Sequence, residues 1–326
     1  MQRSNDISVA LCTYNGERYL EQQLESIAKQ TKLPAELVIC DDCSTDSTPA
    51  IIKAFAQSAP FSVKYVENQK NIGSEKKGIT RNFEKAAQLC SKSFIALCDQ
   101  DDAWFPEKLE RLSAVLESDS QYGGVFSDAR LMDQNSHPTG VRMRETTGFD
   151  LRDERRLQHG EALPVLLAMT KVYGCTLMFR ASLLDQILPV PPSWWFDAWF
   201  ACMIAIHSKL AFVSEPLFYY RIHPSQQVGA SAPSLSKRIQ QWRTPAKQYS
   251  DQAQPQLIEL CERLQTQSTP DIQAHLEYLR GRLALMQVRS NLPSNRLMRL
   301  GKILPATRDY HRYFNGWKSI IKDITT

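Results

Sequence analysis

Over its first hundred residues the chain switches repeatedly between two hydrophobic rhythms. Ile7-Ser8-Val9-Ala10-Leu11-Cys12 is a short apolar run stopped by Thr13-Tyr14-Asn15-Gly16, the pattern of a buried strand. From Glu17 to Gln30 the apolar positions Leu20, Leu24 and Ile27 recur at spacings of four and three, which predicts a helix, and Pro34 ends it. Glu36–Cys40 then reads as a strand, Thr48–Gln57 as a helix, Ser62–Val66 as a strand, Arg81–Leu89 as a helix and Phe94–Cys98 as a fourth strand. Strands alternating with helices imply βαβ units, right-handed crossovers and a mostly parallel sheet, an α/β fold. Ligands of such sheets bind at the carboxyl ends of the strands. Polar clusters follow three of them: Thr13-Tyr14-Asn15, Asp41-Asp42 and Asp99-Gln100-Asp101-Asp102. All three are expected on one rim.

Past residue 120 the alternation loosens. Gly124–Ser127 and Thr176–Phe179 look like further strands, and Leu210–Tyr220 like a strand pair around Glu215-Pro216. Pro189, Pro191 and Pro192 mark a loop, and Gly229-Ala230-Ser231-Ala232-Pro233-Ser234 reads as a linker. Beyond it Ile272, Leu276, Leu279, Leu283 and Met286 keep a helical spacing. Two parts are therefore expected, an α/β domain over 1–229 and a basic helical region over 230–326. Their charges differ: 24 Lys/Arg against 28 Asp/Glu in the first, 15 against 7 in the second. A mildly acidic body with a basic tail suggests separate tasks. No apolar run approaches the roughly 20 residues of a membrane span, and the polar stretch Met1–Asp6 carries no signal-peptide pattern, so a cytoplasmic protein is expected. Cys12, Cys40, Cys98, Cys175 and Cys202 sit in apolar stretches as small hydrophobes. Cys40-Asp41-Asp42-Cys43 matches C-x-x-C, but its two carboxylates disfavour a thiolate and no second such pair follows.

Asp99, Asp101 and Asp102 crowd three carboxylates into four residues after an apolar strand, so a cation is expected among them. Hard oxygen ligands suit Mg²⁺ or Mn²⁺ held jointly with substrate phosphates; a single helix cap would explain one aspartate, not three. Asp42 is open to a nucleotide base or ribose hydroxyl and to a cap of the following helix, a role Ser44 or Asp46 also fits. Asn71-Ile72-Gly73 and Thr80-Arg81-Asn82 place a loop and a cation near the third strand, with Arg81 open to a phosphate or to a surface ion pair. Asp197 lies among Trp194, Trp195, Phe196, Trp199 and Phe200, where desolvation raises a carboxyl toward the working range of a general base; a helix N-cap is the structural alternative. His223 is open to a metal or phosphate and to a structural hydrogen bond.

These blocks resemble glycosyltransferase family 2. Val9 to Gly16 is similar to the family's first nucleotide-contacting strand and turn, which brings in Cys12, Tyr14 and Asn15, and Val38 to Asp46 to its second, whose latter aspartate, here Asp42, holds the base. Asn71-Ile72-Gly73 with Asn82-Phe83 resembles a third block, and Ala96 to Trp104 the D-x-D motif in its D-Q-D-D-x-W form. Phe196-Asp197-Ala198-Trp199 is similar to the acceptor-side block that supplies the base, and Tyr220-Arg221-Ile222-His223 to the block after it. The combination resembles bacterial rhamnosyltransferase-like members, departing at Phe196 and Ala198.

The resemblance implies a GT-A fold with a C-terminal helical appendage and an inverting, metal-dependent glycosyltransferase. It would move a sugar, rhamnose among the candidates, from a nucleotide-diphosphate donor to a saccharide or lipid-linked acceptor in cell-surface polysaccharide synthesis. Donor binding falls to Cys12, Tyr14, Asn15, Asp42, Gly73, Arg81 and Asp99, metal binding to Asp99, Asp101 and His223, and the base to Asp197. A sugar-1-phosphate nucleotidyltransferase is an alternative that the single glycine of Thr13–Arg18 does not favour; an inactive sugar-nucleotide binder is another that the intact carboxylates do not favour. Residues 280–326, with ten Lys/Arg and two acids among Leu297, Leu300, Ile303, Leu304, Tyr313, Phe314 and Trp317, fit either a peripheral contact with the inner membrane surface or a packed helical appendage. No nucleic-acid partner is expected.

Overall fold

The computed structural model describes residues 6–73, 76–168, 171–224, 226 and 246–325. They fall into two compact units, one within 1–232 and the other within 233–326. The first begins as the periodicities dictate: β1 (Ile7–Thr13), α1 (Leu20–Ala28), β2 (Glu36–Asp41), α2 (Thr48–Ser58), β3 (Ser62–Glu67), α3 (Lys76–Leu89) and β4 (Phe94–Cys98). There follow β5 (Ala103–Trp104), α4 (Lys108–Ser118), β6 (Tyr122–Met132), β7 (Pro138–Arg142), α5 (Met143–Thr147), α6 (Leu151–Gln158), α7 (Ala162–Ala168), β8 (Leu177–Arg180), α8 (Leu184–Ile187), α9 (Phe196–His207) and β9 (Lys209–Arg221).

All nine strands join one sheet, in the order β3-β2-β1-β4-β8-β6-β9-β5 with β7 on β6. The first four strands pair in parallel, while β8 runs antiparallel to β4 and β6. Ile7, Val9 and Leu11 on β1 and Leu37 and Ile39 on β2 point with Leu20, Leu24 and Ile27 of α1 into the main core. Burial of such side chains stabilises a fold by about 1.5–3 kcal/mol each.

Three expectations change in extent. Residues 210–220 form one continuous strand, not a pair: β9 lies parallel to β6 along its length, and a register shift between Val213 and Pro216 absorbs the two extra residues. The same pairing extends β6 to Met132, well past Ser127. Helix α3 starts at Lys76, five residues before Arg81. Gly78 sits so close to the Gly73 carbonyl that a Cβ would stand 1.7 Å from the oxygen, so this first helical turn requires glycine there.

The second unit contains helices Ala246–Leu264, Pro270–Ser290, Arg296–Ile303, Thr307–Tyr313 and Trp317–Thr325. Leu285, Ile303, Tyr310, Tyr313 and Ile320 form its own apolar cluster. The linker expected at Gly229–Ser234 lies outside the described residues. No described helix is long and apolar enough to cross a membrane.

Candidate active site

The carboxyl ends of β1, β2 and β4 open into a cavity of about 490 Å³. Its walls bring together Cys12, Tyr14, Asn15, Asp42, Gly73, Asp99, Asp101, Asp197 and His223. Arg81 is not among them. One turn of α3 separates it from the buried Glu84, and its half-exposed guanidinium donates to that carboxylate at 3.1 Å.

The two aspartates after β2 divide their tasks. Asp41 is fully buried and structural: its Oδ1 accepts hydrogen bonds from the Thr13 and Ser44 hydroxyls, both at 2.6 Å, and its Oδ2 one from the Ser44 N–H at 2.8 Å. This locks the end of β1 to that of β2. Asp42 lines the cavity. Its Oδ1 accepts from Ile72 N (2.8 Å) and Asn68 Nδ2 (3.0 Å), while Oδ2 takes no hydrogen bond from the described residues. The helix that Asp42 was a candidate to cap is served instead by Asp46, whose Oδ1 accepts from Thr48 N at 3.0 Å.

The acidic turn is held from both sides. Gln100 accepts from Tyr14 N (2.8 Å) and donates to Tyr14 O (3.0 Å), pinning the β1 loop to the turn. A Cβ on Gly16 would stand 2.4 Å from the Gln100 Oε1, so the glycine admits this contact. On the far side β5 pairs with β9, and β9 carries Arg221 beneath the turn. Arg221 donates through Nε to Asp101 O (2.7 Å), through its backbone N–H to Asp102 Oδ1 (3.1 Å) and through its remaining nitrogens to Ser136 and Gln22. The same strand end sets His223 Nε2 at 2.8 Å from Asp101 Oδ2.

The electrostatics of the turn are unbalanced. Enclosure by the cavity walls, then the charge of Asp101, push the Asp99 carboxyl up to about 7. Asp102 is fully buried, is raised well above the carboxylate range by burial, and its Oδ2 has no hydrogen-bond donor among the described residues. Besides Arg221, the turn has Lys108 nearby, itself fully enclosed. Burial lowers its amine to about 8 as it donates to Cys175 O at 2.6 Å between the Trp104 and Phe218 rings. Ligand atoms of Asp99, Asp102 and Cys175 lie within 4.8 Å of one another, but burial keeps the Cys175 thiol protonated. An orphaned buried oxygen among crowded carboxylates, with an imidazole at the edge, is a donor set that fits a hard divalent cation.

The opposite wall is α9. Phe196 stacks on Phe83 of α3 with ring centroids 4.0 Å apart, and Trp199 donates through Nε1 to Ile187 O at 2.6 Å. Asp197 therefore sits on a rigid first turn; the N-cap position belongs to Trp195, so Asp197 is not the cap. Desolvation raises its carboxyl to about 6, against the lowering effect of the Ala198 and Gly174 N–H groups. At Gly174 a Cβ would collide with the Phe196 ring at 2.6 Å, so only glycine brings that N–H to the carboxylate. Asp197 is near enough to Asp99 for its charge to raise the latter's pKa.

The profile of glycosyl transferase family 2 matches residues 8–188. The chain belongs to that family. An uncharacterized glycosyltransferase of Nostoc sp. is 29% identical over 71% of this chain and 69% of the relative, and a dTDP-rhamnosyl transferase of Shigella flexneri is 34% identical over 38% of this chain and 40% of its own length. The chain spans 59% of the length of some other curated relatives, among them an uncharacterized protein of Mycobacterium bovis and a putative glycosyltransferase of Bacillus subtilis. Among solved structures, a mannosyltransferase of Pyrobaculum calidifontis in complex with GDP-Man and Mn²⁺ superposes with a TM-score of 0.54 at 16% identity, covering 97% of this chain and 78% of that one. The family 2 transferase thus has the GT-A fold, with a mixed α/β sheet and C-terminal helices.

Several residues that line or brace the cavity were given no role by the sequence. Gln100 stands inside the acidic motif, where its neighbours' charge drew attention from its amide. Arg221 lies in the Tyr-Arg-Ile-His run, yet its partners are 85 or more residues away along the chain. Tyr173, Gly174 and Trp195 line the cavity from loops that carry no periodic signal.

Proposed function

We propose that this transferase moves a sugar, with inversion, from a nucleotide-diphosphate donor to the hydroxyl of a saccharide or lipid-linked acceptor. The observation that carries the reading is one cavity with Asp99 and Asp101 on one wall and the proton-accepting Asp197 on the other. Asp42, with Tyr14, Asn15, Cys12 and Gly73, forms the nucleoside end. Asp99 and Asp101, with His223 against Asp101, would hold Mg²⁺ or Mn²⁺. Such an ion, when bound, offsets charge on the diphosphate leaving group.

The chain's own residues then do the rest. Asp197 is enclosed enough to be a competent base near neutral pH and positioned enough to hold one acceptor hydroxyl. The hydroxyl oxygen forms the bond to the anomeric carbon as that carbon's bond to the phosphate oxygen breaks. The hydroxyl proton goes to the Asp197 carboxylate, and the nucleoside diphosphate leaves. Rhamnose remains among the candidate donors on the likeness to the Shigella relative, and cell-surface polysaccharide among the products. The eight cysteines form no disulfide among the described residues, which fits a reducing, cytoplasmic setting.

The test is Asp197→Asn, assayed with a panel of uridine, deoxythymidine and guanosine sugar diphosphates. Turnover should fall by about 10²–10⁴ while donor binding persists. Full turnover in this variant would remove Asp197 as the base.

A further inference from the structure

Nine large apolar side chains are exposed among the described residues, and five of them fall between 297 and 321: Leu297, Met298, Leu304, Trp317 and Ile321, at 51–77% exposure. They are not scattered. Leu297 and Leu304 are seven residues apart, with Gly301 between them facing open space, so they share the side of helix Arg296–Ile303 away from the fully buried Ile303. Trp317 and Ile321 are four apart on helix Trp317–Thr325, whose other side buries Ile320 and Asp323. Each helix thus has an apolar stripe inside its unit's core and a second one outside it.

The surroundings of the outer stripes are cationic. Arg296, Lys302, Arg308, Arg312 and Lys318 are exposed and form no ion pair among the described residues. Of the two acids in 280–326, Asp323 is buried against Arg289, which leaves Asp309. A second copy of this chain does not suit such a face, because pairing it with itself would oppose unneutralised cations. A surface that takes leucine, methionine and tryptophan while presenting negative charge does suit it.

We propose that the second unit docks on an anionic lipid bilayer through Leu297, Met298, Leu304, Trp317 and Ile321, with the interleaved cations meeting the headgroups. Apolar side chains enter the headgroup–acyl boundary and arginine or lysine heads stay at the phosphates. This goes beyond the transfer reaction and would hold even for an enzyme with a water-soluble acceptor.

Flotation of the full chain tests it, with vesicles of pure phosphatidylcholine and of phosphatidylcholine with phosphatidylglycerol. Binding should appear on the anionic vesicles and weaken with salt. Replacing Arg296, Lys302 and Lys318 by Gln should reduce it by about fivefold per cation removed. A variant with Leu297→Ser, Leu304→Ser, Trp317→Ser and Ile321→Ser should lose it, while far-UV circular dichroism and donor hydrolysis stay at the unmodified level, since all four side chains are exposed. Equal binding to neutral vesicles, undiminished binding by the serine variant, or a dimer that this variant dissociates without any flotation would each overturn the proposal.

Discussion

Asp102 in the first unit and Asp323 in the second are both aspartates shut away from water, 0% and 1% exposed. Their surroundings differ completely. Arg289 grips Asp323 through two nitrogens, at 2.6 and 2.9 Å, and the Tyr310 hydroxyl donates to it at 2.7 Å, so both oxygens are satisfied and opposite charge is in contact. Asp102 receives one backbone N–H, leaves Oδ2 without a donor, and shares its neighbourhood with Asp99 and Asp101. A buried carboxylate that holds a fold together is paired by the protein itself. Asp102, next to the proposed metal-binding Asp99 and Asp101, is left in deficit by the described residues, and the fold carries that cost.

The largest test of this contrast is at Asp197, on the cavity's opposite wall. Asp197→Asn should lower turnover by about 10²–10⁴ and yet raise stability above pH 6. The sign follows from its raised pKa: the folded state holds the proton more tightly than the unfolded chain, so stability is greatest below about pH 4 and falls as pH rises to about 6. The asparagine variant escapes that loss, worth about 2–3 kcal/mol, so denaturant titrations at pH 5 and pH 8 should lie closer together for it than for the unmodified chain, the remaining gap coming from Asp99. The pH–rate profile of the unmodified transferase should show an acid limb near pH 6 that the variant lacks.

Next come the two fully buried aspartates themselves. Asp323→Asn leaves Arg289 enclosed without its counter-charge and should cost about 3–5 kcal/mol. Asp102→Asn removes a carboxyl already held toward its neutral form and should change metal-free stability by less than about 1 kcal/mol. Chemical denaturation followed by circular dichroism compares them. Equal losses at the two sites would break the contrast.

Metal sharpens it further. Mn²⁺ at one hundred times its dissociation constant should stabilise the folded chain by about 2.7 kcal/mol. Asp99→Asn and Asp101→Asn should each abolish that gain in a thermal-shift assay while leaving the metal-free melting temperature level or higher. The Asp323→Asn variant should keep the gain intact.

The same contrast explains what could be read before the structure. The sheet's first half was legible because each strand and helix there is short and keeps its own period, with Ile7, Val9 and Leu11 facing Leu20, Leu24 and Ile27. The site's carboxylates were legible because they follow those strands. Long-range pairing was not: β9 looked like two strands because Glu215-Pro216 reads as a break, whereas pairing with β6 carries the strand through and lets Ser214 and Glu215 bulge out of register. Arg81 looked like a phosphate ligand because a cation near a strand end invites one, but an α3 side chain three residues from Glu84 finds its partner locally. Gly174 and Arg221 matter through neighbours distant in the chain.

Gln100 isolates the smallest effect. Its amide exchanges two hydrogen bonds with the Tyr14 backbone, at 2.8 and 3.0 Å, in an exposed setting where each is worth about 0.5–1.5 kcal/mol. The exposure means that water can replace the amide, so Gln100→Ala should cost less stability than the sum of the two bonds. The loop it pins carries Tyr14 and Asn15, which line the cavity at the proposed nucleoside end, whereas Asp197 stands on α9 across the cavity. Losing the amide should therefore raise the donor KM by about tenfold and leave kcat within about twofold, since loosened positioning of a bound group costs binding before it costs chemistry. A fall in kcat with an unchanged KM would mean that the acidic turn, rather than the loop, depends on Gln100, and would move this residue to the metal side of the cavity.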